Sequence, residues 1–353
     1  MKTVRFLLIG VGNVGRRFLE LITLKRDTLH DRLGLRLVLA GVADRSGVAV
    51  CPAGLDPERV VELKLNGQGV AAYPRWGQVG VSALEMVKMA QGWQNHPAQA
   101  GLLLEASPVN LCDGQPGLAC IEAALAWGMH VVTANKAPLV LAFSRLLALA
   151  EATGAQLRFD ATVAGGLPAV NLGQRDLAMA DVCRLEGVLN LTSNYILTSM
   201  AERGLSYDQA LAHAQAAGHA EADPRLDVEG WDAANKLVIL AHSVLRYPAT
   251  LADVAVQGIT GLTAEVLRQA VAEGKRVKLV AVAERDGERY RLAVGPARLD
   301  ASHPLAQLGA EQMGIVYHTD VCGVISAAIV EETPMPTAAA MLRDVLDLYG
   351  TKS

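Results

Sequence analysis

The sequence predicts an α/β protein in two parts, a doubly wound parallel sheet followed by an α+β domain with a mostly antiparallel sheet. An apolar run at residues 4–9 leads directly into a Gly-x-Gly-x-x-Gly turn and a helical pattern, which indicates a Rossmann-type first domain. Residues 276–299 form two apolar runs around Asp286-Gly287, a strong signal for an antiparallel hairpin. The composition, 51% hydrophobic but only 4% aromatic, fits aliphatic strands buried between helices.

The length and charge of the chain limit its organisation and its partners. At 353 residues it is long enough for two domains with cores of their own. We expect the first domain to span 1–136, the second to span 137–305, and a segment, 306–353, to return to the first domain. A net charge of −4 gives no reason to expect nucleic acid or an anionic membrane as a partner. No apolar run approaches the length that crosses a bilayer.

The cysteines indicate a reducing compartment. Their number, five, is odd, and no two form a Cys-x-x-Cys pair, so we expect neither a disulfide framework nor a zinc site. Such cysteines are typical of reduced thiols in a cytoplasmic protein. In chain order they are Cys51, Cys112, Cys120, Cys183 and Cys322.

The glycine-rich turn is the first candidate binding site. Glycines between a strand and a helix let the backbone approach a pyrophosphate, whose negative charge is stabilised by the helix N-terminus. The turn therefore predicts NAD or NADP as the cofactor. Its predicted cofactor-binding residues are Gly10, Gly12, Asn13, Val14 and Gly15.

Three more residues follow predicted strands at the edge of the sheet that faces a cofactor. The second strand ends at Asp44, whose carboxylate can accept hydrogen bonds from the adenosine ribose of NAD. Arg45 comes next and can instead pair with the 2′-phosphate of NADP, so the choice of cofactor stays open. The alternative interpretation of Asp44 is a turn residue with no ligand. A later strand ends at Glu105, and we expect Ser107 to lie near the nicotinamide because the carboxyl ends of strands face the cofactor.

Lys136 is a candidate catalytic residue. It ends the segment MHVVTANK, in which a strand and turn bring the lysine to the same ligand-facing edge. A cation there can polarise a carbonyl oxygen or donate a proton as alkoxide charge develops, and it can also contact the cofactor. The alternative interpretation is a capping or surface lysine.

An acid-rich stretch between two predicted helices, Gly218 to Lys236, is the second candidate site. Its loop carries Glu221, Asp223, Asp227 and Glu229. Asp232 and Lys236 are four residues apart on the following helix and therefore share a face. Carboxylates beside a lysine suit a substrate that has an ammonium group and a carbonyl that must take or give a proton. The alternative is a solvated loop followed by a surface ion pair.

This stretch resembles the signature of the homoserine dehydrogenases, Gly-aromatic-x-Glu-x-Asp-Pro, then Asp, then Gly-x-Asp-x-x-x-Lys. His219 stands where the family often has tyrosine, and the family's VVTANK segment is present around Lys136. The matching positions of the signature are Gly218, Glu221, Asp223, Pro224, Asp227, Gly230, Asp232 and Lys236.

The resemblance implies an NAD(P)-dependent enzyme that interconverts L-homoserine and L-aspartate 4-semialdehyde. Lys136 and Lys236 would then flank the reacting carbon as acid/base candidates, and Asp232 would position Lys236 or a water. The implied substrate-binding residues are Glu221, Asp227 and Thr192. A related dehydrogenase of another small amino or hydroxy acid is the alternative, and a catalytically silent nucleotide sensor would need neither lysine.

The resemblance also implies a monovalent cation, such as sodium, and a homodimer. In the family's Glu-Ala-x-Val-x-Gly-Gly-x-Pro segment, backbone carbonyls hold the cation, which here implies Val163, Gly165 and Leu167 as ligands. Asp160 replaces the family's glutamate, so its shorter side chain is not expected to ligate directly. Larger relatives append a regulatory domain, and we expect a short form without it.

Overall fold

The N-terminal apolar run forms strand β1 (Lys2–Ile9), whose last four residues are buried in the computed structural model. The structure describes residues 1–93 and 101–350. The chain divides into two compact units, Met1–Gly166 with Thr333–Ser353, and Leu167–Glu332. Each unit has its own sheet.

The first unit contains a seven-stranded sheet in the order β4-β3-β2-β1-β5-β6-β7. From β2 to β7 in this order each strand is parallel to the next, while β3 and β4 extend the sheet antiparallel. This arrangement confirms the predicted doubly wound sheet. Its strands after β1 are β2 (Leu35–Asp44), β3 (Gly47–Val50), β4 (Gly77–Val79), β5 (Leu102–Glu105), β6 (His130–Thr133) and β7 (Leu157–Arg158).

Helices connect these strands and start where local chemistry favours a start. Three side chains accept hydrogen bonds from backbone N–H groups at helix starts, which satisfies donors that a helix leaves open. They are Asp56 before α2 (Pro57–Leu65), Ser82 before α3 (Ala83–Gln91) and Asn135 before α5 (Lys136–Thr153). The helix α5 ends at Gly154, which adopts φ = 71°. In chain order the helices are α1 (Asn13–Leu24), α2 (Pro57–Leu65), α3 (Ala83–Gln91), α4 (Gly117–Ala126) and α5 (Lys136–Thr153).

The second unit contains a six-stranded sheet that is antiparallel except for one pair. Its order is β13-β12-β8-β10-β11-β9, and only β9 and β11 run parallel. The predicted hairpin is confirmed, because β10 and β11 pair up to Asp286 and Arg289 around Gly287. The strands are β8 (Val182–Val188), β9 (Val254–Val256), β10 (Lys275–Asp286), β11 (Arg289–Asp300), β12 (Gln312–Thr319) and β13 (Val324–Val330).

Two helices of the second unit, α7 (Leu191–Arg203) and α10 (Trp231–Ser243), carry Thr192, Asp232 and Lys236. Asp227 lies on the short helix α9 (Arg225–Val228), and Glu221 lies in the segment before it. The helix α7 is capped by the side chain of Asn190, and α10 begins after Gly230, which adopts φ = 89°. Both helices are largely buried, which holds their polar residues in fixed positions. The helices of this unit are α6 (Ala169–Asn171), α7 (Leu191–Arg203), α8 (Tyr207–Ala216), α9 (Arg225–Val228), α10 (Trp231–Ser243) and α11 (Ala264–Ala272).

The unit boundaries differ from the predicted ones. Residues 137–166 belong to the first unit, because α5 is the crossover that lets β7 pair in parallel with β6. Residues 306–332 belong to the second unit, because β12 pairs with β8 and β13 pairs with β12. The part that returns to the first unit is α12 (Met335–Tyr349), which packs its apolar face into the core around α1.

Candidate functional site

The glycine turn of the first unit packs so closely on its own backbone that two of its positions cannot carry a side chain. Gly10 adopts φ = 84°, and a Cβ atom there would lie 2.3 Å from the carbonyl oxygen of Ala106. A Cβ on Gly15 would lie 2.0 Å from the Gly10 carbonyl oxygen. Gly12 and Asn13 are exposed where α1 begins, so the helix N-terminus is open to an anion. The turn therefore fits a dinucleotide.

Asp44, at the end of β2, is surrounded by donors from its own unit. Its Oδ1 accepts from the N–H of Ser46 at 2.8 Å and from the Ser46 hydroxyl at 2.6 Å. Its Oδ2 accepts from Lys64 Nζ at 2.6 Å and from the N–H of Val70 at 3.2 Å. Burial opposes ionisation of this carboxyl, but the hydrogen bonds from Lys64 and Ser46 outweigh it and lower the pKa of Asp44. Arg45 is exposed.

Ser107 and Lys136 follow the ends of the neighbouring strands β5 and β6. The Ser107 hydroxyl contacts the buried carboxyl of Glu105, and the Ser107 N–H donates to the same oxygen at 2.8 Å. Lys136 is the first residue of α5, directly after the cap residue Asn135. Burial raises the pKa of Glu105, and the hydrogen bonds from Ser107, Thr133 and Asn135 act against this rise.

In the second unit, one amide joins two carboxylates. The Asn190 Nδ2 group donates to Asp227 Oδ1 at 2.7 Å and to Asp232 Oδ2 at 2.8 Å. The same asparagine caps α7 through its Oδ1, which accepts from the N–H of Ser193 at 2.8 Å. Burial raises the pKa of Asp227, and the nearby Asp232 carboxylate raises it further. The cap thus fixes the amide that holds the two acids together.

Lys236 completes this cluster from one turn along α10. Its Nζ forms an ion pair with Asp232 Oδ2 at 2.7 Å and donates to the carbonyl oxygen of Leu189 at 2.6 Å. The side chains of Lys236 and Asp232 are only 14% and 7% exposed, so this is not the solvated surface pair of the alternative interpretation. Asn190, Asp227, Asp232 and Lys236 are called the substrate cluster below.

Other predicted substrate residues lie around this cluster or outside it. The Thr192 hydroxyl, in the first turn of α7, donates to the carbonyl oxygen of His219 at 2.6 Å. Glu221 is exposed, and no contact links it to the substrate cluster within the described part of the chain. Asp223 is also exposed, and hydrogen bonds from Arg225 lower the pKa of Asp223 to about 2.

The predicted cation segment contains an ion pair of its own. The Asp160 side chain is fully buried, and its Oδ2 accepts from Arg343 Nη2 of α12 at 2.5 Å. The same Nη2 donates to the carbonyl oxygen of Gly166 at 3.2 Å. A guanidinium therefore already balances this carboxylate, which does not fit direct ligation of a cation by Asp160. Val163 and Gly165 belong to the first unit and Leu167 to the second.

The sequence did not identify some of the polar partners. Asn190 lies two residues before Thr192, but nothing in the local sequence shows that its amide bridges Asp227 and Asp232, 37 and 42 residues away. Lys64 lies 20 residues from Asp44 on a separate helix. The usable signal for Asn190 was its position directly after an apolar strand and before a helix, where a cap residue is common.

A dinucleotide-binding turn on a parallel sheet, and a buried carboxylate–lysine cluster in a second unit, define the class as a nicotinamide-dependent oxidoreductase. Residues 168–346 match the family model described as homoserine dehydrogenase. The homoserine dehydrogenase of Methanocaldococcus jannaschii is 33% identical over 345 residues, 98% of each chain. The NAD(+)-dependent homoserine dehydrogenase of Pseudomonas canavaninivorans is 32% identical, over 99% of this chain and 97% of its own.

Solved structures agree with the sequence relatives. A homoserine dehydrogenase from Thermoplasma acidophilum superposes with a TM-score of 0.81 at 26% identity, covering 98% of this chain and 99% of its own. The chain belongs to the homoserine dehydrogenase family. It is thus an NAD(P)-dependent oxidoreductase acting on the CH–OH group of homoserine.

Proposed function

We propose that the substrate cluster binds the amino-acid substrate and handles its proton while L-homoserine and L-aspartate 4-semialdehyde are interconverted. The observation that carries this proposal is the pair of buried carboxylates, Asp227 and Asp232, held by one amide beside Lys236. With both acids ionised and the lysine protonated, the cluster carries one net negative charge. A substrate ammonium group would balance that charge.

Lys236 has a proton to offer to a substrate oxygen. Two of its three N–H groups donate to Asp232 and to the Leu189 carbonyl, and within the described residues the third has no protein acceptor. The bound nicotinamide supplies the hydride chemistry. In the reducing direction, the carbonyl oxygen of the substrate gains negative charge and Lys236 donates a proton to it. Asp232 holds the ammonium group of Lys236 in place for this transfer.

Lys136 is the second acid/base candidate, and its position supports that role. It begins α5 at the carboxyl edge of the parallel sheet, where cofactors of such sheets bind. Thr192 and Glu221 remain proposed substrate residues, with Thr192 supported by its place in the first turn of α7. Domain roles follow the same division, nucleotide binding in the first unit and substrate binding in the second.

We infer that the chain accepts both NAD and NADP. The Asp44 carboxylate, predicted to bind the ribose, already accepts from four donors, and the Lys64 ammonium balances its charge. A balanced Asp44 repels a 2′-phosphate less than a free carboxylate would, and Arg45 is exposed beside it. The relative from Pseudomonas canavaninivorans is named NAD(+)-dependent, which supports use of NAD.

The remaining proposals concern a cation, the assembly and the compartment. If a monovalent cation binds, its ligands are the backbone carbonyls of Val163, Gly165 and Leu167, and not the paired Asp160 carboxylate.

A homodimer is supported by β13, an apolar edge strand in which no residue is buried. A cytoplasmic location is supported by five free thiols. No helix in the described part is long and apolar enough to span a membrane.

The test is the absorbance of the reduced nicotinamide when purified protein receives L-homoserine with NAD or with NADP. We expect absorbance to rise with both cofactors. The control substrates are L-serine and L-threonine, which carry the same ammonium and carboxylate groups as L-homoserine but have the hydroxyl closer to them. Their rates should be at least about tenfold lower. No rise with homoserine would overturn the proposal, and a faster reaction with another hydroxy acid would reassign the substrate.

A further inference from the structure

A buried carboxyl that the proposed reaction does not use lies under the predicted nicotinamide site. Glu105 ends β5, is 0% exposed, and pairs with Ile9 of β1 on one side and Thr133 of β6 on the other. It thus lies beside the strand that leads into the glycine turn. The first residue of α4, Gly117, lies so close that a Cβ there would be 3.1 Å from Glu105 Oε1. The N-terminus of α4 therefore favours negative charge on Glu105.

Two hydrogen-bond relays start at Asn135 and end on the two oxygens of Glu105. In one relay, Asn135 Nδ2 donates to Ser107 Oγ at 3.3 Å, and the Ser107 hydroxyl contacts Glu105 Oε1. In the other, the Asn135 N–H donates to Thr133 Oγ1 at 3.0 Å, and Thr133 Oγ1 lies 3.0 Å from Glu105 Oε2. Glu105 therefore ties together the turns that follow β5 and β6.

The direction of the first relay is fixed by chemistry. The Asn135 Oδ1 atom accepts from the N–H of Ala137 at 3.1 Å, because Asn135 caps α5, so its Nδ2 must be the group that faces Ser107. This Nδ2 group also faces Glu105 and the Pro108 carbonyl oxygen, at 3.5 Å from the latter, so every neighbour of Ser107 Oγ on this side other than Glu105 is a donor or is turned toward Nδ2. The Ser107 hydroxyl therefore gives its own proton to Glu105 Oε1. That oxygen also accepts the Ser107 N–H, so a proton carried by the other oxygen, Oε2, would leave this relay unchanged.

As a consequence, the Ser107 hydroxyl can only accept a hydrogen bond from a ligand. An ordinary serine hydroxyl rotates and can donate or accept, whichever a ligand needs. Here the single proton of Ser107 is used on Glu105, and what remains for a ligand is a lone pair. A lone pair recognises a donor. In the nicotinamide ring the neutral hydrogen-bond donor is the NH2 group of the carboxamide.

We propose that Glu105 is a positioning residue that fixes the Ser107 hydroxyl as an acceptor toward the cofactor, so that the site selects the carboxamide NH2 of the nicotinamide. The inference rests on the proposed function in one respect, the use of a nicotinamide cofactor, and it takes the place of Ser107 beside the nicotinamide from the order of the strands. It assigns to Glu105 a part in cofactor recognition without contact with the cofactor.

The test compares the dissociation constants of NAD and of 3-acetylpyridine adenine dinucleotide, in which a methyl group replaces the NH2, by titration calorimetry. The wild type should prefer NAD by about 3- to 10-fold, the effect of one neutral hydrogen bond. Thionicotinamide adenine dinucleotide, which keeps the NH2, is the ligand control and should bind like NAD. If the wild type binds NADP more tightly, the 2′-phosphorylated forms are compared in the same way.

The variants test whether Glu105 orients the Ser107 hydroxyl or only supports the fold. Glu105→Leu removes the acceptor, frees the Ser107 proton, and should bring the preference close to 1. Glu105→Gln can turn its carbonyl oxygen toward Ser107 and its NH2 toward Thr133, so it should restore the preference. If Glu105→Leu does not fold, Glu105→Met, which also lacks an acceptor for the Ser107 proton and has an unbranched side chain, replaces it. Ser107→Ala should also lose the preference, which tests the contact between the Ser107 hydroxyl and the cofactor.

The outcomes are distinct. A folded Glu105→Leu or Ser107→Ala protein that keeps the wild-type preference overturns the inference, and so does a wild type that binds both dinucleotides equally. None of these results touches the proposed function, which is read from the reaction with homoserine. A wild type that binds no dinucleotide overturns both.

Discussion

Two lysines of the second unit are buried in different surroundings. Lys236 on α10 lies against a carboxylate, Asp232, and one carbonyl, and its side chain is 14% exposed. Lys278 on β10 is 3% exposed, and its Nζ donates only to uncharged oxygens. These oxygens are Asn194 Oδ1 at 2.8 Å, Thr198 Oγ1 at 2.9 Å and the Leu308 carbonyl at 2.7 Å.

The difference separates a lysine that can act on a substrate from one that holds the fold together. All three protons of Lys278 are used to join β10 to α7 and to the segment before β12, so none is left for a ligand. Burial disfavours its charge and lowers the pKa of Lys278 to about 8. Lys236 has a carboxylate partner and an N–H group to spare. A carboxylate partner, and not burial alone, therefore marks the lysine proposed for catalysis.

The largest expected effect is on turnover when a proposed acid/base is removed. Lys236→Met and Lys136→Met should each lower kcat by roughly two to four orders of magnitude, the usual range for a general acid/base. Steady-state kinetics with homoserine and either nicotinamide measure this. The matched controls are Lys275→Ala in the second unit and Lys88→Ala in the first, which should stay within about threefold of wild type. A lysine whose variant keeps most of its turnover has no such role.

A smaller effect is expected when Lys236 loses its charge partner. Asp232→Asn keeps an oxygen that can accept from Asn190 but removes the negative charge beside Lys236. We expect kcat/KM for homoserine to fall by about 10- to 100-fold, because a partly buried ammonium loses its counter-charge and its fixed position. Asp208→Asn, an exposed carboxylate on α8, is the control. Equal kinetics for the two variants would show that the ion pair is only structural.

The smallest expected effect concerns stability and Lys278. Folding lowers the pKa of this lysine from 10.5 to about 8, so between these values the unfolded chain binds more protons at this position. Stability therefore rises with pH in this window. Relative to Lys278→Met, which has no such proton, the wild type should gain about 1.5 kcal/mol of unfolding free energy between about pH 8 and 9.5. Urea denaturation of both proteins at the two pH values measures the gain. An equal change in unfolding free energy for the two proteins would contradict it.

What the sequence could predict was local. The glycine turn and Asp286-Gly287 are short patterns with one good backbone solution each, and both formed as expected. The spacing of Asp232 and Lys236 likewise gave their shared face. Because such features depend on neighbouring residues, a single sequence is enough to find them.

The features that a single sequence could not predict depend on pairing between distant segments. Apolar residues in β12 and β13 fit either unit, and only the pairing of β12 with β8 assigns them to the second. Lys278 interrupts an apolar strand, which was the only sign of its burial. The Asp44 carboxylate accepts hydrogen bonds from Lys64 and Val70, which lie 20 and 26 residues further along the chain. The bounds of the two units and the contacts of Asp44 therefore could not be read from the sequence.

The most direct test measures kcat of Lys236→Met and Lys278→Met side by side at neutral pH, each per folded molecule as judged by circular dichroism. We predict that Lys236→Met loses at least about 100-fold while Lys278→Met stays within about threefold of wild type. Equal losses in the two variants, or a larger loss in Lys278→Met, would contradict the assignment of proton handling to the substrate cluster.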